Sequence, residues 1–273
     1  MKIPFTKAHG GGNDFLFTFA AELPFPLPDG RCSAAARALC HRNTGIGGDG
    51  WYLIEEKVEG ADARVRLWNS DGSKAELSGN GTRCAAEILA RNSGKKPGDS
   101  LGILTGAGLK RLRIEKQEDT VGWFEMDMGP ARVTAARHTL ALRSGPLDVT
   151  LIDVGNPQCA LEVAGFDFDW TALGREIEGH PAFPDRTNVS FLRRIDEHTI
   201  QARFFERGAG HTLSSGTGAT GAAVAALVRG LVSTPVTVET EFGSLYIRLE
   251  PGLHCFLTGP AEIIARGLFF WSE

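Results

Sequence analysis

Apolar and polar positions alternate in short runs along most of the chain. Phe15 to Phe19, Trp51 to Glu55 and Ala63 to Trp68 in the first half are rich in β-branched or aromatic residues. So are Val149 to Val154, Cys159 to Val163, Ile200 to Phe205 and Val236 to Glu239 in the second half. This pattern predicts strands. Between Lys110 and Lys116, Arg111, Arg113 and Glu115 interleave with Leu112 and Ile114, the pattern of a strand with one solvated face. Two segments differ. Gly81 to Arg91 and Gly218 to Arg229 are rich in alanine and apolar nearly all round, which predicts two helices, each buried inside its own domain.

The chain repeats itself. Arg66 and Arg203, Asn69 and Glu206, and Ser78 and Ser215 share one offset of 137 residues. Met128-Gly129-Pro130-Ala131 and Thr258-Gly259-Pro260-Ala261 form a further pair at a slightly different offset. Internal similarity of this kind predicts duplicated domains. The expectation is an α/β (α+β) chain of two similar domains, each a curved sheet or barrel wrapped around its central helix and related by a pseudo-twofold. Their expected bounds are 1–125 and 126–262, with a last strand 263–273 packing back on the first.

Composition narrows the chemistry. Lys+Arg number 29 and Asp+Glu 33, a net charge of −4 without a basic stripe, so neither nucleic acid nor an anionic membrane is expected as partner. No apolar run reaches the roughly 18 residues of a membrane helix, and the N-terminus has no signal-like region, so a soluble cytoplasmic protein is expected. The five cysteines form no CxxC pair, which points to free thiols rather than a disulfide framework or a zinc site. Glycine is the unusual count, 34 of 273. The glycines cluster beside Asn, Asp, Ser and Thr at Gly10 to Asn13, Gly45 to Gly50, Ser78 to Gly81, Gly208 to Gly210 and Gly216 to Gly221. Such turns bring backbone N–H groups close to a small ligand.

Two of these clusters, Ser78-Gly79-Asn80-Gly81 and Ser215-Gly216-Thr217-Gly218, open the two predicted helices. Helix N-termini carry unpaired N–H groups and partial positive charge, so each suits a carboxylate or phosphate. If the repeat brings both to one cleft, with a serine from each side, a proton could leave one face of a carbon and return to the other. Serine before a helix is equally the commonest cap residue, and both readings stay open. Two decoys are weaker. Gly216 to Gly221 matches GxGxxG, with Glu239 farther on, but no apolar strand precedes it directly. Ser215, His211 and Glu206 lie close in sequence, yet the nucleophile elbow G-x-S-x-G is missing.

The stretches His9-Gly10-Gly11-Gly12-Asn13-Asp14-Phe15, Asn69-Ser70-Asp71-Gly72-Ser73, Gly79-Asn80-Gly81-Thr82-Arg83-Cys84, Gly155-Asn156-Pro157, Thr187-Asn188-Val189 and Glu206-Arg207-Gly208-Ala209-Gly210, with Ser215-Gly216-Thr217-Gly218, resemble the diaminopimelate epimerase family in order and spacing. The resemblance implies cofactor-independent inversion at an amino-acid α-carbon, LL- to meso-diaminopimelate, in lysine and cell-wall precursor biosynthesis. It also implies a small amino-acid substrate, no metal, and a monomer or homodimer. Carried over by position, Asn13, Asn69, Asn156, Asn188, Glu206 and Arg207 match the residues that hold the substrate's polar ends. Gly79, Asn80, Gly216 and Thr217 match the donors to its α-carboxylate.

The departures concern proton transfer. The family carries cysteine where this chain has Ser78 and Ser215, histidine where it has Gln158, Glu-Thr where it has His211-Thr212, and glutamine where it has Gly50. A thiol titrates near pH 8.5, and lower at a helix N-terminus, whereas a serine hydroxyl needs an adjacent base. Glu206 and His211 are the nearby candidates in sequence. The catalytic set implied is therefore Ser78, Ser215 and Glu206, with Gln158 and His211 as modulators. Two rivals share every binding motif: a catalytically silent amino-acid binder, including an engineered Cys→Ser form, and a related isomerase working with one activated base.

Overall fold

Alanine and glycine let strands close tightly around a helix, and each half of the chain uses this. In the computed structural model residues 1–272 are described. The chain divides into two compact units, Met1–Met126 with the residues from Gly259 onward, and Asp127–Thr258. Glu273, the end of the expected last strand, lies outside the described residues.

In the first unit the order is β1 (Lys2–Gly10), β2 (Asn13–Phe19), α1 (Asp29–Cys40), β3 (Gly50–Glu56), β4 (Ala63–Asn69), β5 (Lys74–Ala75), α2 (Gly79–Ser93), β6 (Ser100–Thr105), β7 (Gly108–Glu118) and β8 (Val121–Pro130). β1 and β2 pair antiparallel, β2 and β3 parallel with Phe15 opposite Gly50, β3 and β4 antiparallel, and β4 and β6 parallel. β6, β7 and β8 follow antiparallel. On β7, Leu112 and Ile114 are buried while Arg111 and Arg113 are exposed, the solvated face that the alternation predicts.

The second unit runs β9 (Arg132–Leu142), β10 (Gly145–Asp153), β11 (Pro157–Glu162), α3 (Trp170–Glu178), β12 (Asn188–Arg194), β13 (Thr199–Glu206), β14 (Gly210–Thr212), α4 (Gly216–Val228), β15 (Val236–Glu239), β16 (Ser244–Glu250) and β17 (His254–Phe270). The part of β17 beyond Gly259 counts with the first unit, where Ile263 to Phe270 pair with β1. The pairing scheme repeats. β10 and β11 are antiparallel, β11 and β12 parallel with Gln158 opposite Asn188, β12 and β13 antiparallel, and β13 and β15 parallel. The repeat read from the sequence is thus a repeat of strand order and register.

α2 is buried from Asn80 through Ala90 and α4 from Gly218 through Ala226. Around α4, Phe204, Leu192, Ile247 and Leu257 complete the core. α2 stops at Gly94, left-handed at φ 72°, whose N–H returns to the Ala90 carbonyl. The sequence reading provides one helix per half; the structure adds α1 and α3. α1 buries Cys32, Ala35, Ala36, Leu39 and Cys40, an i, i+3, i+4, i+7, i+8 stripe made of small residues. Among the described residues no helix is long and apolar enough to cross a membrane.

Candidate active site

In the first unit the site residues gather where β2 begins and α2 begins. Ser78 is extended at φ −130°, ψ 123°, and its Oγ accepts the Gly81 N–H at 3.2 Å, so the residue caps α2. Its carbonyl also accepts from Thr82 Oγ1 at 2.8 Å. The N–H groups of Gly79 and Asn80 are the first of the helix and point out of its open end. Gly81 is required by close approach: a Cβ there would lie 2.3 Å from Tyr52 Oη and 2.6 Å from its ring.

Asn80 and Asn13 meet. Asn80 Nδ2 donates to Asn13 Oδ1 at 2.7 Å, and Asn13 Nδ2 donates to Asp49 Oδ2 at 3.1 Å. Asp49 also accepts the Asp14 N–H and is paired with Arg42 at 2.8 Å. Asn69 stands apart from this relay. It is exposed, and its Nδ2 donates to Ser73 Oγ at 2.9 Å. At Gly50, a Cβ would come within 2.9 Å of the Trp68 carbonyl and 3.0 Å of Leu67 Cδ1, so a longer side chain there needs the β3 and β4 strands to shift.

In the second unit Ser215 caps α4 as Ser78 caps α2, accepting the Gly218 N–H at 3.1 Å. Here the hydroxyl has somewhere to send its proton. Ser215 Oγ donates to Glu206 Oε2 at 2.9 Å, and Thr212 Oγ1 donates to Glu206 Oε1 at 2.7 Å. Asn156 Nδ2 reaches Thr217 Oγ1 at 3.4 Å and its Oδ1 accepts from Gln158 Nε2 at 2.7 Å. Gln158 is buried against Gly221 of α4, and its own Oε1 has no hydrogen-bond partner among the described residues. Asn188 is a clip: its Nδ2 donates to the Pro157 carbonyl and its Oδ1 accepts the Arg207 N–H, both at 3.0 Å. Arg207 is exposed, with Nη1 on the Asp185 carbonyl at 3.1 Å.

His211 is the exception. It pairs with Phe205 across the β13 and β14 ladder, while Gly210 pairs with Glu206, so strand alternation sends its side chain to the face opposite Glu206. There it bonds Glu241 and meets the Trp170 ring edge-on at 4.8 Å. His211 is expected as a modulator, and among the described residues its imidazole hydrogen-bonds Glu241 rather than Ser215 or Glu206. Sequence reasoning missed Thr212 and Asp49, which complete the two networks, and Arg83, which sits under Asn80. Thr212 was legible in principle, two residues beyond Gly210 on the strand that folds back on Glu206. Among the described residues no group of His, Cys, Asp and Glu is placed to hold a metal ion.

A family model for diaminopimelate epimerase matches residues 5–134 and 150–264. The chain belongs to the diaminopimelate epimerase family. A diaminopimelate epimerase of Desulfitobacterium hafniense is 36% identical over 276 residues, covering 96% of each chain, and one of Microcystis aeruginosa is 36% identical over 286 residues, covering 98% of this chain and 99% of that one. Among solved structures, methylitaconate-delta-isomerase superposes with a TM-score of 0.71 at 17% identity, covering 100% of this chain and 99% of that one. A hydroxyproline epimerase from Agrobacterium vitis gives 0.70 at 17% identity, covering 98% and 92%. At that identity the likeness is one of fold alone, a mixed α/β two-domain architecture with eight-stranded barrels.

Proposed function

We propose that the chain is a cofactor-independent amino-acid epimerase acting on diaminopimelate, with proton transfer carried by a serine and carboxylate relay in place of a thiol. The observation that carries this reading is the 2.9 Å hydrogen bond from Ser215 to Glu206. In the proposed step the substrate Cα–H bond breaks and its proton goes to Ser215 Oγ, while the hydroxyl proton passes to Glu206 Oε2. The electron pair is left on the α-carbon. A proton from the Ser78 hydroxyl then closes the opposite face; water gives Ser78 its proton back, and the hydroxide so formed takes up the proton held by Glu206, so that both groups are restored and no net proton is consumed. The resulting Ser78 oxyanion is favoured by the Gly81 N–H that already points at it and by the α2 dipole.

Each helix start suits a substrate carboxylate, Gly79 and Asn80 at α2 and Gly216 and Thr217 at α4, since helix N-termini favour anions. Asn13, Asn156 and Arg207 are assigned to the remaining polar groups, and Asn188 acts through the Arg207 backbone that it holds. Asn69, bonded to Ser73, is assigned to the same set at its edge.

A second reading has its own support. Among the described residues no carboxylate or imidazole hydrogen-bonds to Ser78 Oγ, so the α2 side lacks a base. That asymmetry favours an amino-acid binder without turnover, or an isomerase using one activated base. Incubation with LL-diaminopimelate followed by chiral analysis of the product separates the readings: meso product supports epimerisation, and binding without product supports the binder.

A further inference from the structure

Arg83, the fifth residue of α2, is fully buried and among the described residues pairs with no acidic side chain. Its Nη2 donates to Asn80 Oδ1 at 2.5 Å, its Nε reaches the Pro260 carbonyl at 3.5 Å, and its Nη1 has no hydrogen-bond partner among the described residues. The buried acid one turn farther, Glu87, is taken up by Arg91 and by Gln117 Nε2. An unpaired buried guanidinium is strongly unfavourable, and an apolar side chain of similar size would fill the same volume without that cost. Burial lowers the Arg83 pKa to about 10, so the group is still a cation at neutral pH.

We propose that Arg83 is the positioning residue of the α2 half of the site, orienting the Asn80 and Asn13 amides and placing a positive charge behind the N–H groups of Gly79 and Asn80. The proposal rests on the reading above that these groups receive the substrate carboxylate. The orientation follows from donor and acceptor bookkeeping. Because Arg83 has only donors, it fixes Asn80 Oδ1 toward itself and Asn80 Nδ2 toward Asn13 Oδ1. Asn13 must then turn its own Nδ2 to Asp49. Every amide in the line points the same way, from a buried cation to a carboxylate, and such chains strengthen one another.

The charge follows from helix geometry. Side chains of a helix lean toward its N-terminus, and contact with Asn80 puts the guanidinium beside the first turn. There it adds to the macrodipole that attracts an anion. In α4 the residue at the matching place, by the 137-residue offset, is Thr220, whose hydroxyl bonds the Gly216 carbonyl. Arg83 thus makes the α2 cap the more electropositive of the two, on the side where Ser78 is asked to give up a proton.

The test uses Ser78→Cys as a reporter, combined in turn with Arg83→Lys, Arg83→Gln and Arg83→Met, each checked for folding by circular dichroism. The thiolate is followed by ultraviolet absorbance against pH. Burial pushes the native Cys40, Cys84 and Cys159 to about 12 and Cys255 to about 11, and raises Cys32, so the introduced thiol titrates first. The expected result is a thiol pKa about 1 unit higher with Arg83→Gln than with Arg83, and nearly unchanged with Arg83→Lys. One thiol pKa across the whole set overturns the proposal, because a merely structural arginine would not move it.

In the otherwise unaltered chain, Arg83→Lys keeps the charge but not the fork. It is expected to raise the Kd for LL-diaminopimelate about tenfold through the freed Asn80 amide, and an unchanged Kd overturns the orienting role. If the unaltered chain does not bind diaminopimelate, the substrate reading fails. Arg83 is then decided by the titration and by the Asn80 and Asn13 side-chain amide resonances, which must shift in Arg83→Lys. Should Arg83→Met fail to fold, the Lys and Gln variants carry the same comparison.

Discussion

Ser215 Oγ lies 2.9 Å from Glu206 Oε2, while Ser78, at the matching cap of the other unit, accepts a helix N–H and among the described residues is bonded to no carboxylate. The two caps are alike in backbone and unlike in chemistry. The repeat supplies two equivalent helix starts, and among the described residues only the one at Ser215 has a carboxylate hydrogen-bonded to its serine hydroxyl.

Glu206→Gln removes the terminal acceptor of the relay but keeps an oxygen for Ser215 or Thr212 to bond. It is expected to lower α-proton exchange by about 100-fold or more, the ordinary contribution of a positioned general base, with little loss of stability. Exchange followed by NMR in deuterated water, alongside urea denaturation, separates the two effects.

Ser78→Ala and Ser215→Ala each remove a helix cap and should cost about 1 kcal/mol of stability alike. Their effects on chemistry should differ. With Ser78→Ala, one of the two stereoisomers, LL or meso, still exchanges its α-proton through the Glu206 side while inversion falls. With Ser215→Ala neither does. Equal exchange in both variants removes the asymmetry from the account.

Arg207→Ala should weaken diaminopimelate binding by about 2 kcal/mol, the scale of a charge-assisted hydrogen bond. Calorimetry is the measurement, and equal affinity in variant and parent takes Arg207 out of the site.

Gly81→Ala would place a Cβ 2.3 Å from Tyr52 Oη in a fully packed region. A loss of about 2 kcal/mol is expected, in the usual range for overpacking, and Tyr52→Leu in the same chain should recover part of it. Chemical denaturation of the single and double variants gives the coupling directly.

The Asp14 carboxyl is raised by burial, but the hydrogen bonds and charges of Arg42 and Lys7 outweigh this and leave its pKa below the ordinary value of 3.8. A depressed pKa in the folded state gives stability that is present above the unfolded pKa and lost as the pH falls through the folded one. The stability gap between the parent and Asp14→Asn should therefore be constant above about pH 5 and shrink below about pH 4. A gap unchanged down to acid unfolding contradicts the pairing.

Much of this was legible in the sequence because duplication leaves offsets that one can count. The matched pairs Asn69 and Glu206, and Ser78 and Ser215, occupy matching places in the two strand and helix schemes. α1 was missed because its buried stripe is written in cysteine and alanine, which carry little hydrophobic contrast. α3 is only nine residues, too short for its periodicity to stand out. The side of β14 on which His211 falls depends on a register set by the turn at Gly208 to Gly210, and a three-residue strand offers no alternation to read. The helix holding Arg83 is read as buried, but arginine is nearly always exposed, so the sequence did not mark Arg83 itself as an interior charge.

The central claim is that the Ser215 and Glu206 pair moves a substrate α-proton. Incubation of the unaltered chain with LL-diaminopimelate in deuterated water, with the α-proton followed by NMR, tests it directly. The account predicts slow exchange with formation of the meso isomer, abolished by Glu206→Gln and accelerated by the Ser78→Cys, Ser215→Cys double variant. Saturating binding of diaminopimelate with no exchange in the unaltered chain contradicts it.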